Sequence, residues 1–326
     1  MNTGSNKLKR FAIIFIGILL VAFVAVNVFA YQHAYAMMNF SDQGVRAIKL
    51  EDMSLGQKLE ALLLGVNPSR PSADIAPAAL GEHCASVRIA EPGSPSIGAW
   101  HCAVDDNQRL VVLFHGYLMS KSSLMAEARA FMQAGFSVLL VDFRGSWESS
   151  EAYTTIGYLE ADDVAVVLRY ARQHFAPEKV VLYGQSMGAV AVLRAIHSHA
   201  IKVDAVIVEA VFDRLLNTIK NRFDVLGVPS FPAAHILVFW GGVQAGFNGF
   251  SHNPADYAQA VSMPILFLHG EQDNRATLQD AYHVFEAVQA PKHFSVFPDT
   301  VHESHLARHP EKWKSEVTQF LSDHQI

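Results

Sequence analysis

Five residues, Gly184-Gln185-Ser186-Met187-Gly188, constrain this 326-residue chain more than any others. They follow the apolar run Val180-Val181-Leu182-Tyr183 and precede a helix-compatible run from Ala189 to His199. The order predicts a strand, a sharp turn and a helix, with a serine at the tip of the turn. A side chain at either glycine would clash with the neighbouring strand or helix, so only glycine can flank such a serine. Small residues surround many serines, and the pattern alone also fits an ordinary strand-to-helix turn.

A serine hydroxyl is a weak nucleophile until a base takes its proton, and that base needs an orienting acid. Later segments supply both groups, in the order acid then histidine. Pro264-Ile265-Leu266-Phe267-Leu268 reads as a buried strand and runs into His269-Gly270-Glu271-Gln272-Asp273. Lys292-His293-Phe294-Ser295-Val296-Phe297 reads as another and runs into Pro298-Asp299-Thr300-Val301-His302. Asp273 and His302 therefore fall just beyond strand carboxyl ends, the edge where open α/β sheets bind ligands. Leu110-Val111-Val112-Leu113-Phe114 is a further short strand, ending in His115-Gly116-Tyr117. Backbone N–H groups of Met187 and Tyr117 would form an oxyanion hole, worth several kcal/mol of barrier in such sites.

The chain resembles the α/β-hydrolase-fold serine hydrolases, and more narrowly their membrane-anchored bacterial members. The matching residues are Phe114-His115-Gly116-Tyr117, Val141-Asp142-Phe143-Arg144-Gly145, Thr154-Thr155-Ile156-Gly157-Tyr158, Glu160-Ala161-Asp162-Asp163-Val164, the Gly184–Gly188 turn, Leu268 to Asp273, and His302. The resemblance runs from about residue 82 to 320. It implies a catalytic Ser186, His302 and Asp273, flanking elbow glycines Gly184 and Gly188, and no metal or organic cofactor. Ser146-Trp147-Glu148 departs from the small residues and His-Gly pair usual after Asp-Phe-Arg-Gly, which bears on pocket shape. Alternating strands and helices agree with a mainly parallel, doubly wound sheet.

Composition excludes several other classes. The net charge is −6, with no block of basic residues in the body of the chain, so nothing suggests nucleic acid. No phosphate-binding glycine motif follows a strand. The expected partners are a small-molecule ester and a membrane, and the oligomeric state is not legible.

Phe11 to Ala30 is apolar except for Asn27, long enough to cross a bilayer. Lys7, Lys9 and Arg10 precede it, and no Lys or Arg follows until Arg46. This predicts a cytoplasmic tail over 1–10, an anchor over 11–30, and an exported remainder. A cleaved signal peptide also fits, with Ala34-Tyr35-Ala36 as its site, but the run exceeds the usual signal length. A connecting region over 31–81 carries Leu55, Leu59, Leu62 and Leu63 at helical spacing, preceded by a capping-box pattern, Ser54-Leu55-Gly56-Gln57. The hydrolase domain is expected over 82–326.

In an oxidising compartment, a hairpin centred near Gly93 would set Cys84 opposite Cys102 and permit a disulfide; two buried free thiols fit as well. A lid-like insertion is expected over about 212–256. Its rings, Phe239 and Trp240 among them, fit either an apolar acyl pocket or a small core beneath the insertion. Glu209 and Glu271 are rival acids to Asp273, and His305 and His309 read as surface residues. The whole predicts an esterase of apolar acyl groups. A thioesterase or peptidase would share the same residues, and a binding protein on a hydrolase scaffold is the alternative of another class.

Overall fold

A computed structural model describes residues 3–41, 65, 67–104 and 108–326, with residues 3–7 as backbone only. The helix expected around residues 54–64 lies outside the described residues. Eight strands form one sheet: β1 (Cys84–Ile89), β2 (Ile97–Cys102), β3 (Arg109–Phe114), β4 (Ser137–Val141), β5 (Lys179–Gln185), β6 (Ala205–Glu209), β7 (Ile265–Gly270) and β8 (Lys292–Phe297). Their order is β1-β2-β4-β3-β5-β6-β7-β8. The first hairpin is antiparallel and joins β4 antiparallel; every later pairing is parallel.

Nearly every residue of the central strands is apolar because both faces of the sheet are covered. Val112 and Phe114 of β3 point into one core cluster and Val111 and Leu113 into the other, following the two-residue period of a strand. Helices α3 (Glu160–His174), α4 (Met187–His199) and α8 (Leu278–Ala287) cover the first face. Helices α2 (Met125–Gln133) and α9 (Pro310–Asp323) cover the second, Phe131 and Trp313 packing edge-to-face between them. Strand order reverses between β3 and β5, and this switch point opens a crevice at the carboxyl ends of both.

The hairpin register sets Cys84 opposite Cys102, and a disulfide joins them with Cα atoms 4.1 Å apart. The strand-like runs from Glu82 to Ile89 and from Ile97 to Val104 are each trimmed by two residues at the outer end, the strands starting at Cys84 and ending at Cys102.

Helix α1 (Thr3–Met38) is continuous, and its stretch from Leu8 to Met38 is long and apolar enough to cross a membrane. Its last turns are docked on the domain: Ala34, Ala36 and Met38 are buried, whereas the side chains from Leu8 to Val26 are exposed. The docking partner is the insertion, made of α5 (Leu215–Val225), α6 (Ala233–Ala245) and the short α7 (Pro254–Ala258).

This packing corrects the expectation for Phe239 and Trp240. The Trp240 indole N–H donates to Asn27 Oδ1 at 3.0 Å, and its ring meets Tyr31 edge-on. Gln244, one turn on, donates to the Tyr31 carbonyl. Phe239 is 49% exposed. The two rings serve the contact with α1 and its surroundings, and neither lines the cavity at Ser186. A helix apolar on every side needs cover all round, and α1 supplies part of it.

Candidate active site

Ser186 sits at φ +52°, a conformation that non-glycine residues avoid. Its backbone N–H is held by the Glu209 carbonyl at 2.7 Å, so the neighbouring strand β6 fixes the turn. A Cβ on Gly188 would lie 2.2 Å from the Phe114 carbonyl oxygen at the end of β3. One on Gly184 would lie 2.6 Å from the backbone of Gly188 and Ala189. Neither backbone neighbour can yield cheaply, which is the steric reason for both glycines. A strained serine held by packing on three sides has its hydroxyl pre-aimed before any ligand arrives.

The loops after β7 and β8 bring two side chains to it. His302 Nε2 is 3.0 Å from Ser186 Oγ, and His302 Nδ1 is 2.7 Å from Asp273 Oδ2. The carboxylate of Asp273 is buried and also accepts the backbone N–H groups of Arg275 and Ala276 through Oδ1. Burial alone would push this carboxyl up. The His302 hydrogen bond and charge outweigh it and hold the group below its ordinary value. The arrangement can relay a proton from Ser186 Oγ to an imidazole whose other nitrogen is oriented by an anion. Of the rival acids, Glu271 is exposed, and the Glu209 carboxylate is taken up by Tyr183, Gln185, Trp313 and His305, not by His302.

Met187 is the first residue of α4, where a backbone N–H has no partner within the helix. Tyr117 and Gly116 line the same cavity as Ser186 and His302. The cavity holds about 70 Å³ and is completed by Met119, Gln185, Ala210, Arg222, Arg275 and Glu303. The Tyr117 hydroxyl points away from it and donates to the Met37 carbonyl at 2.6 Å. Burial pushes that phenol up to about 12, so it stays a donor.

His305 is not the surface residue expected. It is fully buried, with Nδ1 3.1 Å from Glu209 Oε1, and its backbone N–H donates to the same oxygen. Glu209 also accepts from Tyr183, Gln185 and Trp313. Burial would raise this carboxyl, yet the His305 charge and hydrogen bonds bring it down to about 2, and His305 is raised in return. Beside them Glu127, which accepts from Ser304 at 2.6 Å, is pushed up to about 7 by burial and by the Glu209 charge. These groups lie behind the loop that carries His302 and tie it to the strand that holds Ser186. His309, partly exposed, meets the Pro298 carbonyl at 2.7 Å.

Among the described residues, Asp213, Asp280 and His283 bring potential metal-binding atoms within 4.8 Å of one another. Both carboxylates already accept hydrogen bonds, from Asn217 and from Asn221 and Thr277, which accounts for the cluster without an ion.

The sequence reading missed Arg222 and Arg275. Arg275 stands two residues after Asp273, on a loop placed at the site, and could have been named from that. Arg222 lies far from every motif and reaches the cavity only because α5 folds back over it.

The chain matches the family described as Serine aminopeptidase, S33, over residues 105–219. That segment carries Tyr117 and Ser186 and stops before Asp273 and His302. The chain is 22% identical over 233 residues to the protein YqkD of Bacillus subtilis, spanning 70% of this chain and 75% of that one. It is 25% identical over 219 residues to the acylamino-acid-releasing enzyme of Sus scrofa, of which it spans only 28%. The solved Pyrococcus furiosus esterase PF2001 superposes with a TM-score of 0.67 at 20% identity, covering 79% of this chain and 97% of that one. Its sheet order, the crevice at the β3–β5 switch point and these likenesses together identify the chain as an α/β-hydrolase-fold protein.

Proposed function

We propose that the chain is a serine hydrolase acting on carboxylic esters. The observation that carries this is the hydrogen-bonded line from Ser186 through His302 to Asp273, set at the carboxyl ends of three strands. Ser186 Oγ attacks the ester carbonyl while His302 Nε2 takes its proton. Asp273 holds the imidazole in place and stabilises its charged form. The N–H groups of Met187 and Tyr117 receive the oxyanion. His302 then returns the proton to the departing alcohol, and water releases the acyl group by the same steps in reverse order.

A second reading, amide cleavage, is favoured by the family match and by the porcine relative. A panel of matched p-nitrophenyl esters, thioesters and aminoacyl anilides separates the readings. Ester turnover that disappears in Ser186→Ala supports the first, and faster cleavage of anilides than of any ester supports the second. Turnover surviving in folded Ser186→Ala would sink both.

We further propose that α1 is a membrane anchor, with residues 1–10 cytoplasmic and the domain from residue 82 onward exported. The charge step across the apolar run supports the orientation. Exposed Phe231, Leu226, Val243 and Phe239 on the insertion that packs on α1 support a site beside lipid. A reporter fused after Ile326 should be active only outside the cytoplasm, and activity inside would reverse the orientation.

A further inference from the structure

The cavity at Ser186 is lined by two arginines, Arg222 on α5 and the exposed Arg275 on the loop after β7. Neither forms an ion pair with a carboxylate among the described residues, which for the largely buried Arg222 leaves its charge without a partner. The Arg222 Nε is buried with no hydrogen-bond partner there. Its guanidinium lies over the Tyr117 ring, 5.4 Å from the centroid, so it is aimed across the oxyanion loop. Burial holds this arginine below its ordinary value, and the Arg275 charge pushes the same way. It remains protonated at any physiological pH.

Arg275 is exposed, but Arg222 carries a buried donor that meets no acceptor among the described residues, beside a second positive charge, and that costs stability unless something relieves it. The acids near them do not. Asp273 is occupied by His302 and by backbone N–H groups, and Glu303 also lines the cavity but is exposed and forms no ion pair with either arginine among the described residues. What fits is an acceptor with a negative charge and more than one oxygen, since a guanidinium presents a planar fork of donors.

We propose that the substrate carries an anionic oxyacid group, a carboxylate or a phosphate, within a few atoms of the scissile carbonyl, and that Arg222 and Arg275 bind it. This rests on Ser186 being the nucleophile. It departs from the expectation of a purely apolar acyl group. The small cavity suits a short spacer between the two groups. The alkyl remainder of such an ester lies outside the arginine pair.

Matched esters test the inference. One pair is mono-p-nitrophenyl succinate against its methyl ester, placing the charge on the acyl side. The other is 4-acetoxybenzoate against methyl 4-acetoxybenzoate, placing it on the alcohol side. In at least one pair kcat/KM for the charged member should exceed the neutral one by tenfold or more. That ratio should collapse in Arg222→Gln and in Arg275→Gln, survive in part in Arg222→Lys, and shrink as salt is raised. Equal rates within both pairs would overturn the inference and leave the ester reading standing. If no ester is turned over, the ester reading fails and binding decides this one: Ser186→Ala should bind monomethyl succinate or inorganic phosphate, and the Arg222→Gln, Ser186→Ala double variant should bind at least tenfold more weakly. No binding of either anion by the Ser186→Ala protein would overturn the inference.

Discussion

The hydroxyl of Tyr117 donates to the carbonyl of Met37 at 2.6 Å, joining the loop that lines the Ser186 cavity to the last turn of the N-terminal helix. The two residues are far apart in sequence, and the bond fixes the loop from its outer side. Tyr117→Phe keeps the ring and removes the donor, leaving a carbonyl short of its partner. We expect a loss of about 1–2 kcal/mol in stability. If the loop N–H is an oxyanion donor, kcat should also fall several-fold while KM changes little. A KM effect alone would show that the bond serves the pocket wall and not the oxyanion.

Serine and aspartate substitutions should separate. Ser186→Ala is expected to abolish fluorophosphonate labelling with its melting temperature intact. Asp273→Asn should lower kcat by several orders of magnitude, because the imidazole loses its anionic partner. Glu271→Gln, at an exposed residue, should change little. Steady-state kinetics and a labelling gel measure all three.

Gly188→Ala should be damaging out of proportion to its size. The added carbon would press on the Phe114 carbonyl, forcing β3 and α4 apart at the site. The expected result is a strongly destabilised protein, by about 3 kcal/mol or more, or a folded one with little activity. A fully active, equally stable variant would refute the steric account of the elbow.

Stability should depend on pH through Glu127. Its carboxyl rises from an ordinary value of 4.5 to about 7 in the fold, so between those values the folded state binds more protons than the unfolded one. Stability from this group is therefore full below about pH 4.5 and is lost as pH climbs through about 7. Glu127→Gln mimics the protonated form and should flatten that slope, by on the order of 2–3 kcal/mol. Chemical denaturation at pH 5 and pH 8 measures it. His305 is held above its ordinary value by Glu209 against its own burial, and adds a loss in the same direction as pH rises through its folded value.

Reduction should loosen the edge of the sheet. The Cys84–Cys102 bond closes a loop with a sequence separation of 18, for which chain entropy gives about 3 kcal/mol. A Cys84→Ser, Cys102→Ser variant should melt lower by several degrees and keep its activity, since the hairpin is remote from β5. Unchanged melting would mean that strand pairing alone holds the edge.

Much of this architecture was legible because it repeats a local rule. The apolar runs before Ser186, Asp273 and His302 became β5, β7 and β8, and the turn or loop after each carries its residue to the crevice. Ser186, Asp273 and His302 could be placed at one edge of the sheet without knowing the sheet order. Fates that depend on distant packing were not legible. His305 reads as surface in its own segment, but Glu209 of β6 makes burial favourable. Phe239 and Trp240 look like pocket residues by composition, yet α6 spends that surface on α1 and on solvent. Arg222 illustrates the same point, since nothing around it in sequence says that α5 turns it toward Ser186.

Helix α1 does not tether the domain in the manner of a string. It runs unbroken from Thr3 to Met38 and is already seated on α6 at Asn27, before its apolar stretch has ended. From Asn27 to Met38 it rises about 16 Å at 1.5 Å per residue. With its exposed length in a bilayer, the domain would have one height and one bearing, like a tool fixed to a rigid shaft. The mouth of the Ser186 cavity would then sweep a narrow annulus of lipid around its own anchor. Substrates dissolved in that annulus would be met at a constant angle, whereas a flexible leash would present the mouth in every direction.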